Sequence, residues 1–165
     1  MNHILTAEGG CTCKKVRYRL INTPLFTHAC HCHWCQRETG SAFVINAMIE
    51  TRFVERLKGD PIRARIPSES GRGQLVARCQ DCKTALWSHY TAGDVLTFLR
   101  VGTLDNPNTF PPDVHIFTRS KQSWFALNDG KPQCEAFYQR DELWPESALS
   151  RFSAMSQNPL GEMSR

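Results

Sequence analysis

Cysteine is the residue that could do chemistry in this chain, and its spacing says which kind. The 165 residues hold eight cysteines. Cys11 and Cys13 form a pair; Cys30, Cys32 and Cys35 form a triplet; Cys79 and Cys82 form a second pair; Cys134 stands alone. Cys11-Thr12-Cys13 and Cys30-His31-Cys32 place two thiols one residue apart, where a disulfide would be strained. Clustered cysteines that are not disulfides point to metal ligation or catalysis.

Zinc in a structural site takes four ligands in a closed tetrahedron. Each pair supplies half of one. Residues two apart in an extended segment face the same side, so Cys11 and Cys13 can meet one ion. Cys79-Gln80-Asp81-Cys82 has the C-x-x-C spacing of a zinc-binding turn. The triplet offers three protein ligands and a vacancy, the pattern of a catalytic zinc. A divalent ion on three thiolates carries a net charge of about −1, so it is a poor generator of hydroxide and a better holder of a fourth, deprotonated thiol. The chemistry implied is thiol addition to a carbonyl carbon. Two alternatives stay open on spacing alone. The triplet could be a second structural site closed by His31, His33 or Cys134, or it could share a cysteine with a pair. Cys134 reads as a small buried hydrophobe, and His28 and His89 read as weaker ligand candidates still.

The elements that must position these thiols are mostly strands. Val16–Leu20 and Ile62–Ile66 alternate apolar and basic residues, and further strands are expected over Phe43–Ile49, Leu75–Ala77, Ala85–Tyr90, Val95–Val101 and Val114–Thr118. Lys58-Gly59-Asp60-Pro61 and Ser70-Gly71-Arg72-Gly73 read as turns. The class expected is mainly β and antiparallel. A short helix is expected from Trp34 to Thr39, stopping at Gly40. A C-terminal helix is expected over Asp141–Ala154 with Pro145 in its first turn, then a frayed tail from Ser156 to Arg165. The chain divides as one zinc-binding domain over residues 1–140 and a helix and tail over 141–165.

Length and 41% hydrophobic content fit one compact domain rather than a disordered chain. The formal charge is +4; Lys14, Lys15, Arg17 and Arg19 read as the solvent face of a strand, not a nucleic-acid patch. No apolar run is long enough to span a bilayer, and Met1–Thr6 does not look like a secretory signal. The expectation is a soluble cytoplasmic protein.

On these motifs the chain resembles the glutathione-dependent formaldehyde-activating enzyme family, which also includes centromere protein V. The resemblance runs through Gly9-Gly10-Cys11-Thr12-Cys13, Cys30-His31-Cys32-His33-Trp34-Cys35-Gln36-Arg37, Thr39-Gly40-Ser41-Ala42-Phe43, Cys79-Gln80-Asp81-Cys82, Val101-Gly102-Thr103-Leu104-Asp105, His115-Ile116-Phe117, Ser120-Lys121 and Trp124. It implies zinc-stapled antiparallel sheets in a β-tent, as in methionine sulfoxide reductase B. It implies two zinc ions per chain: a structural one on Cys11, Cys13, Cys79 and Cys82, and a catalytic one on Cys30, Cys32 and Cys35. The implied activity is that of a carbon–sulfur lyase resembling S-(hydroxymethyl)glutathione synthase, joining glutathione to formaldehyde or another small aldehyde. Trp34, Ser41, His115 and Lys121 would be walls or hydrogen-bond donors for the substrates, and Arg37 would meet a glutathione carboxylate. The partners expected are a small thiol and a small aldehyde, with a homodimer allowed and neither membrane nor nucleic acid. The alternative function is a non-catalytic, zinc-stabilised binding module with both sites structural. The family usually carries glycine where this chain has Lys14 and Lys83, so a left-handed turn there would carry lysine at a cost of order 1 kcal/mol. The Gln133-Cys134-Glu135-Ala136 segment also departs from the family pattern.

Overall fold

Short strands with aromatic and β-branched residues, separated by glycine and proline turns, cannot bury their apolar faces alone and so assemble into sheets. The computed structural model of the chain describes residues 6–91 and 93–157. Met1–Leu5 and the tail from residue 158 onward, including most of the segment expected to fray, lie outside the described residues.

Two sheets form. The smaller is antiparallel, with order β1 (Ala7–Gly10), β2 (Arg17–Leu20), β5 (Val54–Lys58). The larger has the order β10 (Val114–Ile116), β3 (Phe26–Cys30), β4 (Val44–Glu50), β9 (Leu96–Arg100), β8 (Ala85–His89), β7 (Gln74–Arg78), β6 (Ile62–Ile66). Its strands are antiparallel except for β10, which runs parallel to β3. The fold is mainly β, as expected, and the strand periodicity finds most of the larger sheet.

Among the described residues three α-helices complete it, besides short 3-10 turns: α1 (His33–Thr39), α2 (Arg140–Leu143) and α3 (Glu146–Gln157). α1 ends where expected. Gly40 sits at φ 64°, and its N–H donates to Gln36 O at 2.8 Å. The C-terminal helix is not continuous from Asp141. Trp144 is extended, at φ −79° and ψ 142°, and separates α2 from α3. Pro145 is the cause: it disfavours helical backbone in the residue before it, so the longer helix begins at Glu146.

The interior divides in two. One apolar cluster, around Tyr18, Leu20, Ile49, Leu86 and Leu99, includes Cys11 and Cys79. The other, around Phe26, Val44, Ile116, Tyr138 and Trp144, includes Cys30, Cys32 and Cys35. Each cysteine group thus contributes to its own core, with Cys13 left exposed.

Candidate metal centres and active site

The first thiol cluster is built from two hairpin loops. Gly10 pairs with Arg17, so the chain between β1 and β2 must turn back within six residues. It does so with Cys11 N donating to Val16 O at 3.1 Å and Lys14 N to Cys11 O at 3.0 Å. The β7–β8 loop copies the device: Cys79 N donates to Thr84 O at 3.0 Å and Lys83 N to Cys79 O at 3.1 Å. Both turns need a left-handed residue, and both have lysine there, with Lys14 at φ 59° and Lys83 at φ 63°. The loops close on each other. Lys15 Nζ reaches Asp81 Oδ1 at 2.5 Å, and the thiols of Cys11, Cys13, Cys79 and Cys82 all lie within 4.8 Å of one another.

The spacing suits a tetrahedral ion. Four sulfurs each about 2.3 Å from zinc are about 3.8 Å apart along a tetrahedral edge. Cys11 Sγ to Cys13 Sγ is 3.5 Å, and Cys13 Sγ to Cys79 Sγ is 3.6 Å. None of the eight cysteines is in a disulfide. Val16 N donates to Cys11 Sγ at 3.3 Å. Burial opposes ionisation of Cys11, but that amide and the neighbouring thiols outweigh it and lower its pKa. The hydroxyl of Thr84 pulls Cys82 down to about 5. A divalent cation bound there would replace the protons that remain.

The second cluster sits where β3 ends and α1 begins. Cys30 is the last residue of β3, Cys32 caps α1 and Cys35 lies in its first turn. Their thiols lie within 4.8 Å of one another, and all three residues are buried. Cys35 N donates to Cys32 Sγ at 3.3 Å. Hydrogen bonds from the Cys30 and Cys35 thiols pull Cys32 down to about 3. Cys30 is raised by its hydrogen bonds to the other two. Cys35 is pushed up to about 12, since Cys32 and burial outweigh its bond with Cys30. The three thiols are thus coupled, with Cys32 the readiest to ionise, and a cation bound there would replace their protons. Among the described residues neither His31, His33 nor Cys134 joins this group.

A buried guanidinium lies in the same field. Arg100, 4% exposed, donates to Asn46 Oδ1 at 2.6 Å and to Ser88 Oγ at 3.1 Å. Among the described residues it has no carboxylate partner. A buried unpaired charge is costly, and a thiol cluster that ionises on binding a cation would offset it. The Arg100 charge lowers the pKa of Cys35, in the same direction as the bond with Cys30 and against the larger influences of Cys32 and burial.

The polypeptide between the two close cysteines is braced. Asp129 Oδ2 accepts from His115 Nε2 at 2.8 Å, which leaves His115 Nδ1 to accept from His31 Nε2 at 2.9 Å. The His31 carbonyl accepts from Gln36 Nε2 at 2.8 Å and from Ser120 Oγ at 3.2 Å. Burial lowers His31 to about 4, so the ring is neutral.

The three thiols open into a chamber of about 300 Å³, whose lining includes Trp34, Asn46, Gln74, Tyr90, Phe98 and Phe117. Of the substrate contacts expected from sequence, Trp34 lines this chamber. Arg37 and Ser41 share a separate depression with Gln122, Trp124 and Phe125. His115 is buried in the brace, and Lys121 Nζ donates to the carbonyls of Gln122 and Phe125. Asn46, Gln74, Tyr90 and Arg100 escaped the sequence reading because they are single polar residues in or next to strands, with no spacing to mark them. Arg100 had one signal: it ends the apolar run Leu96-Thr97-Phe98-Leu99.

Comparison with known proteins places the chain. A family described as "Glutathione-dependent formaldehyde-activating enzyme" matches residues 6–120, more than half of the chain and all seven clustered cysteines. No curated protein matches. Among solved structures, a crystal structure of a Rhodobacter sphaeroides protein shares 18% identity, covering 62% of this chain and 93% of that one with a TM-score of 0.46. No helix among the described residues is long and apolar enough to cross a membrane.

Proposed function

Because the chain belongs to the glutathione-dependent formaldehyde-activating enzyme family, we propose that it is a carbon–sulfur lyase that adds a thiol, glutathione, to a small aldehyde. The observation that carries this reading is the group of three buried thiols opening into a chamber, with no fourth ligand among the described residues. In this reading Cys11, Cys13, Cys79 and Cys82 hold a structural zinc, and Cys30, Cys32 and Cys35 hold a second ion. Zinc bound there would supply a Lewis acid that keeps an added thiol deprotonated at neutral pH. The chain does the rest. α1 fixes two of the three sulfurs on one turn. The His31–His115–Asp129 brace holds the peptide between Cys30 and Cys32. Arg100 offsets the negative charge of the sulfur cluster. Trp34 walls the entrance, and the apolar lining excludes water that would compete with the thiol. Tyr90 lines the chamber with its phenol kept protonated by burial. It is the donor proposed for the carbonyl oxygen as that oxygen becomes a hydroxyl.

Zinc counting with glutathione titration tests this. We expect two ions per chain, one of them perturbed by glutathione. Cys32→Ser should keep one ion and lose glutathione-dependent formaldehyde consumption by at least about a hundredfold, the scale of an essential activating group. Full activity in Cys32→Ser would sink the reading.

A further inference from the structure

The chamber over the three thiols is built for something larger than formaldehyde. Its volume is about 300 Å³, whereas an engineered apolar cavity of about 150 Å³ already holds benzene. Five aromatic side chains line it: Trp34, Tyr90, Phe98, Phe117 and Phe137. Phe117 is placed there at φ 54° and ψ 39°, a left-handed conformation rare for an aromatic residue and found where a site dictates it.

Charge is missing from the same wall. The carboxylate in the lining, Glu69, is paired with Arg119 at 3.0 Å. Lys121 is committed to backbone carbonyls, and Arg37 lines another depression. A carboxylate inside this chamber would meet no free cation among the lining residues, so glutathione would reach the three thiols with its sulfur and keep its own carboxylates outside. What the wall does offer is neutral polarity. His28 Nδ1 and Gln74 Oε1 have no hydrogen-bond partner, on side chains in residues 3% and 2% exposed. Unpaired buried polar atoms are costly and are met by a ligand or water.

We propose that the chamber takes an uncharged aromatic aldehyde bearing a neutral polar substituent, of the hydroxybenzaldehyde class, with its ring among Phe98, Phe117 and Phe137 and its carbonyl toward the three thiols. This rests on the thiol-addition reading above. The thiol sulfur forms the C–S bond with its electron pair, the carbonyl π pair moves to oxygen, and the thiol proton ends on that oxygen. Nothing is oxidised or reduced, and the product is a hemithioacetal.

The test uses the zinc-loaded full chain and two unreactive probes, 4-hydroxybenzyl alcohol and 4-(hydroxymethyl)benzoate, followed by titration calorimetry. With glutathione present in saturating amount to fill the fourth position at the metal, the neutral probe should bind at least about tenfold more tightly, since a carboxylate there goes unpaired. Phe137 and Trp34 are 52% and 39% exposed, so alanine at either spares the core. Each should weaken the neutral probe about three- to tenfold. Equal affinity for the two probes overturns the proposal. So does absence of binding in a protein that still joins glutathione to formaldehyde, an outcome that leaves the thiol-addition reading standing. Tight binding of the neutral probe without thiol addition to any aldehyde supports the chamber assignment and overturns that reading instead.

Discussion

Lys14 and Lys83 hold φ values of 59° and 63° at the turns that carry the four-thiol cluster. A Cβ in the left-handed region costs of order 1 kcal/mol, and glycine would relieve it. Lys14 is the cleaner test, since Lys83 Nζ also donates to Gln80 O. Lys14→Gly should raise the stability of zinc-loaded protein by up to about 1 kcal/mol, or a few degrees in Tm; no gain in a urea titration would show that the turn is not strained. His89 supplies a pH prediction away from the metal sites. It is buried, and desolvation lowers its folded pKa below the ordinary 6.5. The unfolded chain therefore binds more protons between that lowered value and 6.5, so stability rises with pH across this window and is lost as pH falls. His89→Leu should reduce that slope by up to about 1.4 kcal/mol per pH unit, measured by urea midpoints between pH 4 and 7. The cysteine grouping and the lysine turns were legible at this scale because each leaves a mark in spacing. The chamber's polar residues were not, because a sheet brings Asn46, Gln74 and Tyr90 together from three separated segments, with Arg100 bonded to Asn46 from a fourth.

Two glycines separate conformation from crowding at the level of the element. Gly40 caps α1 at φ 64°, and a Cβ there would touch nothing within 4 Å. Gly9 in β1 is the reverse: its Cβ would fall 2.4 Å from Tyr18 Oη and 2.5 Å from the Thr103 carbonyl. Gly40→Ala should cost about 1 kcal/mol through backbone strain alone. Gly9→Ala should cost about 1–3 kcal/mol, because a backbone carbonyl must shift. The readout is the order of the two chemical-denaturation midpoints; the reverse order would contradict the packing around Tyr18. Gly40 marked the end of α1 in sequence, and alternation marked β2 and β6. β3 left no such mark. All five of its residues are buried, since it lies between β10 and β4 inside the larger sheet, and a strand buried on both faces has no period of two. The parallel pairing of β10 with β3 was also illegible, because pairing partners far apart in sequence are set by the whole sheet. Pro145 carried enough information to split the C-terminal helix, but its preference for the first helical position hid that.

At the scale of the whole molecule the four-thiol cluster ties a hairpin of the smaller sheet to a hairpin of the larger one. The C-terminal helix packs against the second apolar cluster. Trp144, Ala148 and Met155 are buried in the apolar cluster that holds the three-thiol group, and Arg151 crosses to Glu50 at the end of β4 with bonds of 2.6 and 3.0 Å. Glu50 is 1% exposed. The sequence divided the chain at residue 140, because helical pattern follows strand pattern there and composition says nothing about docking. We propose instead that α3 is part of the domain's packing. Arg151→Met leaves the Glu50 carboxylate buried and unpaired, and breaking such a pair costs about 3–5 kcal/mol. The low end applies, about 3 kcal/mol, because the Arg151 side chain is 29% exposed and water can partly replace it. Adding Glu50→Leu removes the stranded charge, so the double variant should recover most of the loss. Urea unfolding of the zinc-loaded single and double variants reads both numbers. A loss below about 1 kcal/mol in Arg151→Met, the range of an exposed pair, would mean that the helix only rests on the domain. In that case residues 1–140 would carry the three-thiol core without it.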